Sequence, residues 1–166
     1  MTGKRAFPVF MSVTLGTHKT IDKLRKAIQS AGIRIFGDDT NNILTQVSIS
    51  PTKVQLDVVI VTGADLGFVY PVSRVSLYAR ALEMGLQLCP AEVGPQLRLQ
   101  YPTSIQGNLC IAMEPITSRH PHYWMELVFD VGDVGRSERA LGTGEGRPDM
   151  GFCAPNERWV FVQPGA

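Results

Sequence analysis

The stretch YWMELVFDV, residues 123–131, decides how this chain is read. Tyr123, Met125, Leu127, Phe129 and Val131 alternate with Trp124, Glu126, Val128 and Asp130. A period of two puts the first set on one face of a β-strand and the second set on the other. Upstream, Leu109, Ile111 and Met113 alternate with Cys110, Ala112 and Glu114, and Leu97, Leu99 and Tyr101 alternate with Gln96, Arg98 and Gln100. Half-buried strands in succession predict an antiparallel meander in the C-terminal half. WVFV (159–162) adds a strand near the end.

The N-terminal half mixes both periods. Residues 9–15 and KVQLDVVIVT (53–62) read as strands, the second apolar on both faces toward its end, as in a buried strand. Ile21, Leu24, Ile28 and Ala31 recur at helical spacing after the hydroxyls of Thr17 and Thr20, and Gly32 follows them. Residues 73–84 carry Val75, Tyr78, Ala79 and Leu82 on one stripe and predict the second main helix. A short helix is expected over 38–46, and one helical turn at Pro90–Val93 that Gly94-Pro95 breaks. Residues 132–156 are glycine-rich, and read either as a short strand near Arg139–Leu141 or as a lid. The expected fold is α+β: two main helices packed on a mixed or antiparallel sheet of about five or six strands, in one domain over residues 1–166.

Strand register then suggests a site. Pairing 109–115 with 123–129 so that Met113 faces Met125 sets Leu109 opposite Phe129 and closes an apolar face. The other face brings Glu114, Trp124 and Glu126 together, with the two carboxylates as diagonal neighbours. Adding 96–101 as a strand places Arg98 beside them. Arg98, Glu114, Trp124, Glu126 and Trp159 are therefore the expected ligand-binding residues, the indole supplying apolar area and cation–π attraction. The plainer account is a solvated sheet face on which Arg and Glu are cross-strand partners.

No other motif carries chemistry. His120 and His122 have an H-x-H spacing, but a third ligand is not evident unless Cys153 or Glu145 supplies it, so no metal is assigned. GTGEGRP (142–148) has the glycines of a phosphate loop but not its Lys-Ser/Thr end. No G-x-S-x-G elbow presents a nucleophile, and no catalytic residue or cofactor is assigned.

Composition narrows the partners. Sixteen Lys and Arg against fifteen Asp and Glu give a net charge of +1, which argues against nucleic acid. Three cysteines without a C-x-x-C pair argue against a disulfide framework and for a reducing, cytoplasmic setting. Lys4 and Arg5 before FPVFMSVTL imitate a signal peptide weakly, and no apolar run reaches the ~20 residues of a membrane span.

LCPAEVGPQLRLQY (88–101), CIAMEPI (110–116), NERWVFV (156–162) and LGTHKT (15–20) resemble a family of uncharacterised bacterial proteins, similar to those carried on mobile gene cassettes. The resemblance implies an accessory role and no particular activity or site residue. Three functions follow as expectations: a non-catalytic small-molecule-binding module, a homo-oligomeric interaction module, and a hydrolase using Glu114 and Glu126 as acid and base.

Overall fold

The computed structural model describes residues 7–119, 124–135, 138–149 and 153–165. In chain order the elements are β1 (Val9–Leu15), α1 (Ile21–Ser30), β2 (Arg34–Ile35), α2 (Gly37–Thr45), β3 (Val54–Thr62), α3 (Arg74–Glu83), α4 (Val93–Gln100), β4 (Asn108–Ile111), β5 (Ile116–Arg119), β6 (Trp124–Val134), β7 (Glu138–Glu145) and β8 (Arg158–Val162). The fold is α+β, as expected, with four helices and one mixed eight-stranded sheet.

The strands lie in the order β1-β3-β8-β4-β6-β7-β2, with β5 pairing the other end of β6. β4 runs parallel to β8 and β2 parallel to β7, and every other pairing is antiparallel. Side-chain alternation divides the core in two. One face carries Leu109, Ile111, Phe129, Val131, Val160 and Val162, packed with Leu24 and Ile28 of α1, Ile43 and Leu44 of α2, and Val93 and Leu97 of α4. The other carries Val59, Val61, Ala112, Trp159 and Phe161, packed with Leu77 and Ala81 of α3 alone.

Two expectations are corrected. Residues 96–101 are not a strand: 96–100 belong to α4, which begins at Val93 and takes Gly94 and Pro95 into its first turn, and Tyr101 caps its end. There a proline lacks only an N–H that would have no intrahelical partner, so it does not break the helix. Gly94 allows a close approach, since a Cβ would stand 2.8 Å from the Cβ of Phe129 on β6. Residues Val93 through Arg98 are all buried, so the helix shows no polar outer stripe and its short L-x-L-x-Y run imitates a strand. The register of β4 on β6 also differs. Leu109 faces Val131 and Cys110 faces Asp130, two residues from the expected pairing. A slip of two keeps every side chain on its face. Residues 138–145 form a full strand, where a short strand was one of two expectations.

Helix α4 is fixed by polar groups at four-residue spacing. The buried Glu92 carboxyl accepts from the backbone N–H of Gly16 (2.7 Å) and of Ser50 (2.8 Å), and from Nε2 of Gln96 (3.0 Å). Gln100 takes both the N–H and the carbonyl of Thr14 on the edge strand β1, at 2.9 and 2.7 Å. At the β5 edge, Gln46 and Asn42 of the α2 region bond the Thr117 carbonyl and the Arg119 N–H, each at 2.8 Å. Side-chain amides thus occupy backbone groups that would otherwise invite another strand.

Glu92→Ala strands two partly buried backbone donors and Nε2 of the buried Gln96, and is expected to lower the unfolding free energy by about 2–4 kcal/mol in urea titration. Glu92→Gln, which keeps one acceptor, is expected to lose less. Arg25→Ala removes the pair with Asp22 and the hydrogen bond to the Thr45 hydroxyl, both at the surface, and is expected to change stability by about 1 kcal/mol or less. Equal effects of Glu92→Ala and Arg25→Ala would contradict the assignment.

Candidate functional site

The sheet face under α3 is covered on only one side. Cys110 pairs with Trp159 in one direction and with Asp130 in the other, and Asp130 pairs with Gly142. These four residues form a row across β8, β4, β6 and β7, all on the α3 face. Trp159 lies beneath α3, and Asp130 lies beyond its edge. On β7 this face is bare because Gly142 and Gly144 alternate at the two-residue period. A Cβ at position 142 would stand 2.7 Å from Oδ1 of Asp130, so the carboxyl occupies the space a side chain would need. The result is a cavity of about 240 Å³ whose lining includes Arg74, Cys110, Asp130, Gly144, Cys153 and Trp159.

Arg74 enters from the first turn of α3. Ser73 caps the helix, its Oγ accepting from the Ser76 N–H. Val72 and Cys153 exchange two backbone hydrogen bonds, at 3.2 and 2.7 Å, and the Val75 N–H donates to the Pro148 carbonyl at 3.1 Å. These ties hold the helix start, and Arg74 with it, against Pro148 and Cys153. Its guanidinium lies 5.3 Å from the Trp159 ring centroid and 5.9 Å from that of Tyr78. The Tyr78 hydroxyl is itself held, donating to the Met113 carbonyl at 3.2 Å and accepting from its N–H at 3.1 Å.

The polar accounting of this cavity does not close. Arg74 is 5% exposed. Its Nη2 donates to the Glu145 carbonyl, while Nε and Nη1 have no partner among the described residues. No ion pair reaches it among the described residues, because the Glu145 carboxylate is taken by Arg147 at 2.9 and 3.0 Å. That hydrogen bonding holds the Glu145 carboxyl below its usual value. The Trp159 indole N–H, buried in the same lining, is also unpartnered. The positive end of the α3 dipole adds to the uncompensated charge. Asp130 receives no hydrogen bond or ion pair from any described residue, and burial pushes its carboxyl up to about 6. Burial also pushes the thiols up, Cys110 to about 12 and Cys153 to about 11, so neither is a nucleophile near neutral pH.

Of the five expected residues, the structure brings only Trp159 into this cavity. Arg98 lies in α4 against the opposite face, fully buried, with its guanidinium on the carbonyls of Tyr101, Thr103 and Gly132 and on Asp133 at 2.8–3.2 Å. Glu114 is exposed in the connection between β4 and β5, off any ladder, and Glu126 pairs with Thr117 instead. Trp124 is 76% exposed and, with Glu126, lines a shallow depression farther along β6. The two carboxylates are therefore not cross-strand neighbours in the way the expected register would make them. His120 and His122 lie outside the described residues, and among the described residues no three His, Cys, Asp or Glu cluster to hold a metal. No helix among the described residues is long and apolar enough to cross a membrane.

Sequence reasoning missed Arg74 and Asp130. Asp130 stood in plain view on the polar face of 123–131, and G-x-G at 142–144 signalled a bare strand face opposite it. For Arg74 there was no such signal, since a cation at a helix start reads as solvated.

The raised carboxyl has a signed consequence. Folded Asp130 holds its proton up to about pH 6 against an ordinary value of 3.8, so it lowers stability progressively as pH rises through that window. Asp130→Asn is expected to match the parent near pH 4 and to exceed it by about 1–3 kcal/mol at pH 8 in urea titrations. A gap that is constant with pH would contradict a buried, unpartnered carboxyl.

Comparison with protein-family models, with curated proteins and with solved structures finds no match to this chain.

Proposed function

We propose that this protein is a small-molecule-binding module that takes an anionic group in the cavity between α3 and the bare face of β6 and β7. The observation that carries the reading is Arg74: a buried guanidinium whose Nε and Nη1 have no partner, and which has no carboxylate within ion-pair distance, among the described residues, although Asp130, Glu145 and Glu157 line the same cavity. Burying an unpaired charge costs several kcal/mol, and one carbonyl with two ring contacts offsets only part of it. A carboxylate, phosphate or sulfonate would complete the guanidinium and accept from the Trp159 N–H as well. A volume of about 240 Å³ lies below the ~300–1,000 Å³ of drug-sized sites, which favours a metabolite of few atoms over a nucleotide. What the lining offers is recognition: donors on one wall, a carboxyl on another, and thiols that stay protonated.

Thermal unfolding against phosphate, sulfate and short carboxylates tests the reading. A bound anion at 100 times its dissociation constant is expected to stabilise the protein by about 2.7 kcal/mol. Arg74→Met is expected to abolish the shift while being at least as stable as the parent without ligand, because it removes an unpaired buried charge. No shift with any anion, or a shift that survives Arg74→Met, would sink the proposal.

A further inference from the structure

We infer that the ligand is a small zwitterion, an amino acid or a close analogue, whose carboxylate meets Arg74 and Trp159 and whose ammonium meets Asp130. This rests on the anion site proposed above and adds a second pole to it. Arg74 and Asp130 line one cavity, carry opposite charge, and are each without an ionic partner among the described residues. They are not within ion-pair distance of one another, although both are held on rigid elements: the start of a capped helix and the middle of a strand paired on both sides. A buried guanidinium and a half-buried carboxylate held apart in one cavity are satisfied together by a molecule that bears both complements at a fixed separation. A simple anion would leave the Asp130 carboxylate buried beside the new negative charge. A simple cation would leave the guanidinium as it stands.

The remaining lining fits the same class. Cys110 and Val128 give the lining an uncharged part, and Glu157 adds a second carboxylate beside Asp130, while the Glu145 carboxylate, which also belongs to the lining, is paired with Arg147. Asp130 and Asn108 also line a neighbouring cavity of about 360 Å³ that opens past Gly142 toward Thr143. That is room for a side chain extending from the charged centre. Gly142 and Gly144 are what keep the passage open, since any Cβ at 142 would strike the Asp130 carboxyl.

Isothermal titration calorimetry with matched pairs decides the point: glycine against acetate, β-alanine against propionate, 4-aminobutyrate against butyrate, and glutamate against glutarate. Each pair differs only by the ammonium. At least one zwitterion is expected to bind about tenfold or more tighter than its partner, the order of one charge-assisted pair. Asp130→Asn, its fold checked by circular dichroism, should bring the pair to within about twofold and bind the plain carboxylate at least as tightly as the parent does, because the like charge beside the anion is gone. Arg74→Met should abolish binding of both. Equal affinities within every pair, or a preference that survives Asp130→Asn, would overturn the zwitterion while leaving the anion site intact. So would binding of phosphate, lost in Arg74→Met, with no binding of any amino acid. Failure of every anion to bind would remove both readings.

Discussion

One helix cannot roof eight strands. A helix is about 10 Å across and strands lie about 4.8 Å apart, so α3 spans two or three of them. It covers β3, β8 and the near side of β4, where Leu77 and Ala81 meet Val59, Val61, Trp159 and Phe161. Past that edge the face of β6 and β7 carries Asp130 and glycines in place of an apolar surface. The cavity is the gap where the cover ends, and Nε and Nη1 of Arg74 and the Trp159 N–H have no hydrogen-bond partner there among the described residues.

The opposite face shows what the same chemistry looks like when it is structural. Arg98 and Arg74 are both buried arginines. Arg98 has three carbonyls and the Asp133 carboxylate around it. Burial pushes its guanidinium down from the ordinary value while Asp133 pulls the other way. Burial of Asp133 would raise its carboxyl, but hydrogen bonds from Ser104, the Ile105 backbone and Arg98 outweigh that and hold it low. Such a pair, once buried, is destabilising to break. Of the Arg98 guanidinium, only Nε is left without a partner among the described residues. Glu92, Gln96 and Gln100 tie α4 to β1 and to Ser50 by further hydrogen bonds. Stability is concentrated on that face. The α3 face, with one arginine served by a single carbonyl, gives up stability in a manner typical of binding sites.

Much of this architecture was legible in the sequence wherever one period dominated. Residues 9–15, 21–31, 53–62 and 159–162 took the expected form to within a residue or two, because each has a clear apolar stripe or an unbroken apolar run. The helix expected over 73–84 also forms, but on another face: Val75, Ala79 and Leu82 of the expected stripe are exposed, and Arg74, Leu77 and Ala81 are buried. The 96–101 segment misled because a helix buried on all sides has no polar face to mark its period, and its conspicuous residues serve internal hydrogen bonds. The polar face of 123–131 was assigned correctly, since a register slip of two preserves it, but its functional end was misplaced. Trp124 and Glu126 drew attention as residue types. Asp130, four and six positions along the same face, is the one that α3 and the glycines enclose. Which end of a strand lies beside a helix start depends on chain packing that no local pattern encodes.

The most direct test of the account is the indole N–H of Trp159 in a ¹H–¹⁵N correlation spectrum, recorded while a small amino acid or phosphate is titrated in. The chain has two tryptophans, so Trp124, exposed on the same strand face, is an internal control, and Trp124→Phe assigns the two signals. The account predicts a saturable shift of the Trp159 indole signal with the Trp124 signal unmoved. A Trp159 signal that stays fixed while the ligand demonstrably binds would place the site elsewhere and contradict it.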